Sequence, residues 1–157
     1  MAKDLKESKL FTPYQMGPVT LRNRTIRSAA FESMGKDFNP TQKLKDYHVS
    51  VAKGGVGMTT LAYASINRSG VSFNSQLWLR DEVVEPLKDI TDAIHAEGAA
   101  AGIQIGHCGN MTHWSTAGSF PVSASNGFNL YSPTLHRRMT HEEIRQTAKD
   151  CGKAVLL

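Results

Sequence analysis

The residues of this sequence that could do chemistry gather in one run, Gly102-Ile103-Gln104-Ile105-Gly106-His107-Cys108-Gly109-Asn110. Gln104 carries an amide that both donates and accepts hydrogen bonds, His107 an imidazole and Cys108 a thiol. Ala99, Ala101, Ile103 and Ile105 alternate with small or polar residues, the period of a strand whose successive side chains point to opposite faces. Gln104 is therefore expected on the face opposite its two isoleucines, with His107 at the rim of the same strand end. As metal ligands His107, Cys108 and His113 lack the spacing of a zinc site. Zinc sites use three or four ligands at familiar spacings, and no Cys-x-x-Cys pair or His-Glu-x-x-His run occurs. His107 fits a structural rim residue better than a catalytic base, and no side chain of the run is assigned a catalytic role.

Several elements must position this strand end. Phe11 to Leu21 contains Gly17-Pro18 between short strand-like stretches and predicts a small hairpin. Arg24 to Ala30 predicts a first strand, ending in small residues that let another group approach the backbone. Pro40-Thr41 opens a helix with Leu44, Tyr47, Val51 and Ala52 on one face. Gly54-Gly55 stops it where a left-handed cap is cheap. These glycines follow a helix and open a strand, the reverse of a phosphate-binding loop. A second strand follows from Val56 to about Ala64. Asp81 to Glu97 predicts the next helix, lined by Val84, Leu87, Ile90 and Ile94 and ended by Gly98. The third strand is the run described above. Cys108 to Met139, rich in Ser, Gly, Asn and Pro, predicts a long functional loop. Thr140-His141-Glu142-Glu143 is a capping box that starts a last helix with Ile144, Ala148, Cys151 and Val155 as its apolar face, so that Cys151 is expected in the core.

Strand-helix units repeated three times predict an α/β fold with a parallel sheet and right-handed crossovers. Three strands with helices on one side leave the other face and both edges uncovered, whereas parallel sheets are normally covered on both faces or closed into barrels. A closed barrel of eight such units takes about 250 residues. The 157 residues here are enough for one domain that buries about 70% of its unfolded surface, and read as the first three-eighths of a larger barrel.

No apolar run approaches the roughly 20 residues that span a bilayer. Met1 to Lys9 mixes both signs of charge and lacks the apolar stretch of a secretory signal, which leads us to expect a cytoplasmic protein. Cys108 and Cys151 are too few for a disulfide framework, in keeping with a reducing compartment. The net charge of +4 comes from scattered residues without a basic run, which argues against a nucleic-acid partner.

Five segments in one order carry a resemblance: Leu10-Phe11-Thr12-Pro13, Leu21-Arg22-Asn23-Arg24, Gly54-Gly55-Val56-Gly57, Gly102 to Gly109 and Met139-Thr140-His141-Glu142-Glu143-Ile144. From Leu10 onward the chain resembles the old yellow enzyme family, FMN-dependent NADH:flavin oxidoreductases and ene reductases on a TIM (β/α)8 barrel. The resemblance implies a charged tail over residues 1–9, and over 10–157 the hairpin and first three βα units of an FMN-binding barrel. It implies FMN as cofactor, NADH or NADPH as reductant, and a small-molecule acceptor such as an activated alkene. It implies that Ser28, Ala29, Ala30 and Phe31 lie against the flavin, largely through main chain, that Ala62 and Tyr63 approach the ring, and that Gln104 bonds its pyrimidine side.

Two residues depart from the family pattern. Asn110 stands where an Arg is frequent, and Phe31 where a polar residue is frequent at the flavin edge. Substrate preference and redox tuning stay open on that account. The groups that bind a substrate carbonyl and the phosphate-binding loops are expected beyond Leu157. The chain is thus expected to be one wall of a flavin site, poorly active alone. The alternative is a non-catalytic partial barrel that self-associates through exposed sheet edges.

Overall fold

The computed structural model describes residues 8–157, so most of the charged tail 1–9 lies outside the described residues. Ser8 caps a 3-10 turn, Lys9–Phe11. The expected hairpin follows, with β1 (Tyr14–Met16) antiparallel to β2 (Val19–Leu21). Its turn needs a left-handed residue, which Gly17 supplies at φ +56° without a Cβ penalty.

A parallel sheet carries the site. Its strands are β3 (Ile26–Arg27), β4 (Met58–Ser65), β5 (Leu77–Trp78) and β6 (Ala100–Gly106). β4 is central: β6 runs along one edge, while β3 and β5 share the other edge at opposite ends. Helix α1 (Gln42–Lys53), capped by Thr41, links β3 to β4, and α2 (Val84–Ala96) leads into β6. Residues Leu44, Ala52, Leu61, Ala64, Ile90 and Ile94 form the heart of the core between helices and sheet.

Two of the family-like segments hold each other at the amino-terminal ends of the strands. The Asn23 amide donates to Gly55 O at 2.7 Å, and Arg22 donates to Val56 O at 2.9 Å and Glu97 O at 2.7 Å. The arginine thereby satisfies an orphan carbonyl at the end of α2, that of the C-cap Glu97, where a cation also suits the helix dipole. A Cβ on Gly57 would fall 2.5 Å from Asn23 O, so only glycine fits that approach.

Four expectations need correction. The first strand is not Arg24 to Ala30 but two residues, because side chains rather than main chain occupy the next stretch of the β4 edge. In α1 the buried positions are Leu44, His48 and Ala52; Tyr47 and Val51 are only half-buried. Positions 44, 48 and 52 share a face at i, i+4, i+8, and the polar identity of His48 hid it. The segment Cys108 to Met139 is not a bare loop. It holds a short helix α3 (Trp114–Ala117) and a sheet in which β9 (Thr134–Arg138) lies between β7 (Val122–Ser123) and β8 (Gly127–Asn129).

The last correction concerns α4 (His141–Leu156). Its capping box is present, yet it has no buried residue: Ile144 is 52% and Val155 72% exposed. Cys151 is half-buried rather than core, and Ala154 is the residue that packs on the core cluster. Among the described residues no strand pairs the outer edge of β6. No helix among them is long and apolar enough to cross a membrane.

Candidate functional site

The carboxyl ends of β4 and β6 and the loops beyond them surround a cavity of about 990 Å³. In open α/β sheets ligands bind at this end of the strands, where loops of different units converge. Tyr63, Gln104, His107, Cys108 and Tyr131 line it. Alternation along β6 produces the expected facing: Gln104 borders this cavity, while Ile103 borders an apolar groove of about 570 Å³ beside α2 and α4, and Ile105 touches both. Gln104 is exposed, and among the described residues its amide makes no hydrogen bond to the protein. A free amide on a strand end can donate and accept toward a ligand with little reorganisation.

His107 is wedged into the turn that follows. The Gly109 N–H donates to its Nδ1 at 2.9 Å, which places the ring proton on Nε2, 3.3 Å from Ser69 Oγ. A Cβ on Gly70 would come within 2.7 Å of the His107 ring, so the glycine makes room for the imidazole. Burial lowers the His107 pKa against the opposing pull of Asp150, and the ring is neutral at neutral pH. Burial likewise pushes the Cys108 thiol up, so it is protonated and a poor nucleophile at that pH. Among the described residues no three His, Cys, Asp or Glu side chains converge as a metal site requires.

Tyr63 leaves β4 at an irregularity, where the register to β6 shifts between Leu61 and Ala64. Its hydroxyl is 2.5 Å from Ser72 Oγ, and Ser72 N–H donates to the buried Gln76 Oε1 at 2.6 Å. Burial raises the Tyr63 pKa, with Ser72 pulling the other way. The Gln76 Nε2 is buried with no hydrogen-bond partner among the described residues. The hydroxyl is therefore tied back to the loop, and it is the tyrosine ring that faces the cavity.

The segment after β3 divides. Phe31 stacks on Phe73, which lines the cavity, with ring centroids 5.2 Å apart and planes 18° apart, and lies 6.3 Å from the Tyr63 ring. Ser28, Ala29 and Ala30 do not line the cavity. Among the described residues the N–H groups of Ala29, Ala30 and Phe31 have no hydrogen-bond acceptor. The structure thus brings Tyr63 and Gln104 to one cavity, with Phe31 reaching it only through its stack on Phe73. Sequence reasoning missed Phe73, Ser72 and Gln76, which sit in a loop without period, and missed the buried Glu32, whose signal was a carboxylate five residues beyond Arg27 in a run of small residues.

Comparison with known proteins follows the same lines. A family model described as NADH:flavin oxidoreductase / NADH oxidase family matches residues 9–156. A 4,4'-dithiodibutanoate disulfide reductase of Rhodococcus erythropolis is 40% identical over 100 residues, 64% of this chain and 25% of that protein. The protein named "Probable N-methylproline demethylase" of Rhizobium meliloti (strain 1021) is 36% identical over 143 residues, 90% of this chain and 20% of its own. The old yellow enzyme from Pichia sp. AKU4542 superposes with a TM-score of 0.87 at 21% identity, over 96% of this chain and 42% of its own, a likeness of fold. The chain spans a quarter or less of these curated relatives.

Proposed function

This chain belongs to the NADH:flavin oxidoreductase / NADH oxidase family, the old yellow enzyme family its sequence resembles, and from that premise we propose that residues 10–157 are the amino-terminal part of a TIM barrel whose cavity takes the isoalloxazine of FMN. The parent activity is hydride transfer from NADH or NADPH through FMN to an activated alkene or another small-molecule acceptor.

One observation carries this reading: the unpartnered Gln104 amide on the cavity wall. The pyrimidine side of an isoalloxazine presents donors and acceptors in mixed order, and one amide can meet both. The chain's other residues suit the same ring. The free N–H groups of Ala29, Ala30 and Phe31 are main-chain donors in the segment whose Phe31 stacks on Phe73 of the cavity wall, Tyr63 offers an aromatic face, and neutral His107 keeps the turn after Gln104 rigid. When bound, the flavin supplies the acceptance and delivery of hydride. Among the described residues the cavity lining includes no lysine or arginine, so the phosphate and an activated substrate draw on groups outside it. The 157-residue chain alone is accordingly a weak flavin binder, nearly inactive toward NADH.

A titration with FMN followed by flavin fluorescence tests this. Saturable binding is expected, and Gln104→Ala should weaken it about tenfold, the loss of one to two hydrogen bonds of about 1 kcal/mol each. Absence of saturable binding, or a variant that binds as the wild type does, overturns the assignment. A second reading draws on the open edge of β6 beside the apolar groove lined by Ile103, Leu87 and Val155: a non-catalytic chain that self-associates there. Oligomers in light scattering without flavin binding would favour it.

A further inference from the structure

The two edges of β4 are finished by different groups. Along β6 the pairing is main chain to main chain, from Met58 to Ser65 with one shift of register. On the opposite edge β3 pairs Met58 and Thr59, and β5 pairs Ala64 and Ser65, which leaves Thr60 to Tyr63 between them. With Arg27 opposite Thr59, a ladder carried on would set Ala29 opposite Leu61, and the main chain of Ala29 would bond Thr60 O and Ala62 N–H. Side chains hold both groups instead. Arg27 Nη1 donates to Thr60 O at 2.6 Å, and the Ala62 N–H donates to Glu32 Oε2 at 3.3 Å.

The two side chains are locked to each other and to their surroundings. Arg27 Nη1 lies 2.6 Å from Glu32 Oε1, and Arg27 Nη2 donates to Ala30 O at 3.0 Å. Arg27 also lies over the Tyr47 ring, 5.2 Å from its centroid. Glu32 has a side chain only 3% exposed, with His48 Nε2 at 3.2 Å from Oε1, and His48 Nδ1 is 2.8 Å from Thr59 Oγ1. Burial by itself would raise the Glu32 pKa. The neighbouring His48, the carboxylate's main-chain hydrogen bond and Arg27 outweigh it and hold the carboxyl below its usual range, so Glu32 is charged at neutral pH.

We propose that Glu32, paired with Arg27, is a positioning residue for the cofactor: the pair takes the place of the strand ladder, keeps Ala29 to Phe31 off the sheet, and so leaves their N–H groups free toward the flavin. The proposal rests on the flavin reading above. Its particular consequence is that removing both side chains lets the ladder extend.

The test uses the full chain with Arg27→Met and Glu32→Leu combined, because removing both partners leaves no unpaired buried charge. Amide exchange by NMR should slow at Ala29 by at least tenfold, as its N–H finds Thr60 O, while a merely structural role would speed exchange throughout. The dissociation constant for FMN should rise at least tenfold. Unchanged exchange at Ala29, or FMN affinity within twofold of the wild type, overturns the proposal. If the double variant does not fold, Glu32→Gln decides: its amide sets an NH2 donor against either Arg27 or the Ala62 N–H, which the two carboxylate oxygens now accept from, FMN affinity should fall several-fold, and wild-type affinity overturns the proposal. If the wild-type chain itself binds no FMN, the flavin reading fails, and the Ala29 exchange alone decides whether the pair replaces the ladder.

Discussion

Helices α2 and α4 are patterned alike in sequence and packed differently in space. Each carries apolar residues at helical spacing. α2 sends Ile90 and Ile94 into the core at 2% and 0% exposure, under β4 and β6 and beside α1. α4 docks through Ala154 and leaves Ile144 and Val155 largely in the open. The difference lies in the neighbours. β6 has a strand on one side only among the described residues, and between β6, α2 and α4 an apolar groove stays open. An apolar stripe states that a helix has a face to cover; it does not state what covers it.

Mutation can break or sharpen that contrast. Ile94→Ala should cost about 3 kcal/mol of stability, the usual range for a fully buried aliphatic truncation, measured by urea denaturation. A cost near zero would mean that α2 is no better packed than α4.

A smaller effect is expected at the start of α4. The side chain of Glu143 takes hydrogen bonds from Arg137 at 2.5 and 2.8 Å and from the Thr140 N–H at 2.8 Å. The Arg137 guanidinium first, and then the Thr140 N–H, hold its pKa down to about 2. A carboxylate with a depressed folded pKa stabilises above its ordinary value and loses that contribution as pH falls through the folded one. The cap of α4 should therefore weaken between about pH 4.5 and pH 2, only modestly because the pair is exposed. NMR titration of the α4 amides would follow this, and Glu143→Gln should abolish the dependence. The smallest effect belongs to Ile144→Ala, at less than about 0.5 kcal/mol. A loss comparable to that of Ile94→Ala would show that a partner covers α4 in solution.

Much of the fold was legible because local rules were strong. Thr41 and Thr140 cap helices where the sequence places them, Gly55 and Gly98 take φ of +97° and +75° at the helix ends, and Gln104 faces the cavity because side chains alternate along a strand. What was not legible depended on partners distant in sequence. His48 is buried because Thr59 and Glu32 meet it, and β3 is short because Arg27 and Glu32 take over the β4 edge. The two-residue strands β5 and β7 are too brief to carry a period.

The amino-acid sequence by itself determined the order of the longer strands and helices, the caps at Thr41 and Thr140, the α/β class and the residue that meets the cavity. Each follows from the covalent geometry of a few neighbouring residues. Only the tertiary structure decided which apolar stripe is covered, which polar residues pair in the interior, and that the segment from Ala29 to Phe31 stands away from the sheet with its N–H groups free. Those outcomes hang on contacts between residues tens of positions apart, and the energy of a buried ion pair or an edge hydrogen bond depends on partners that local pattern does not contain.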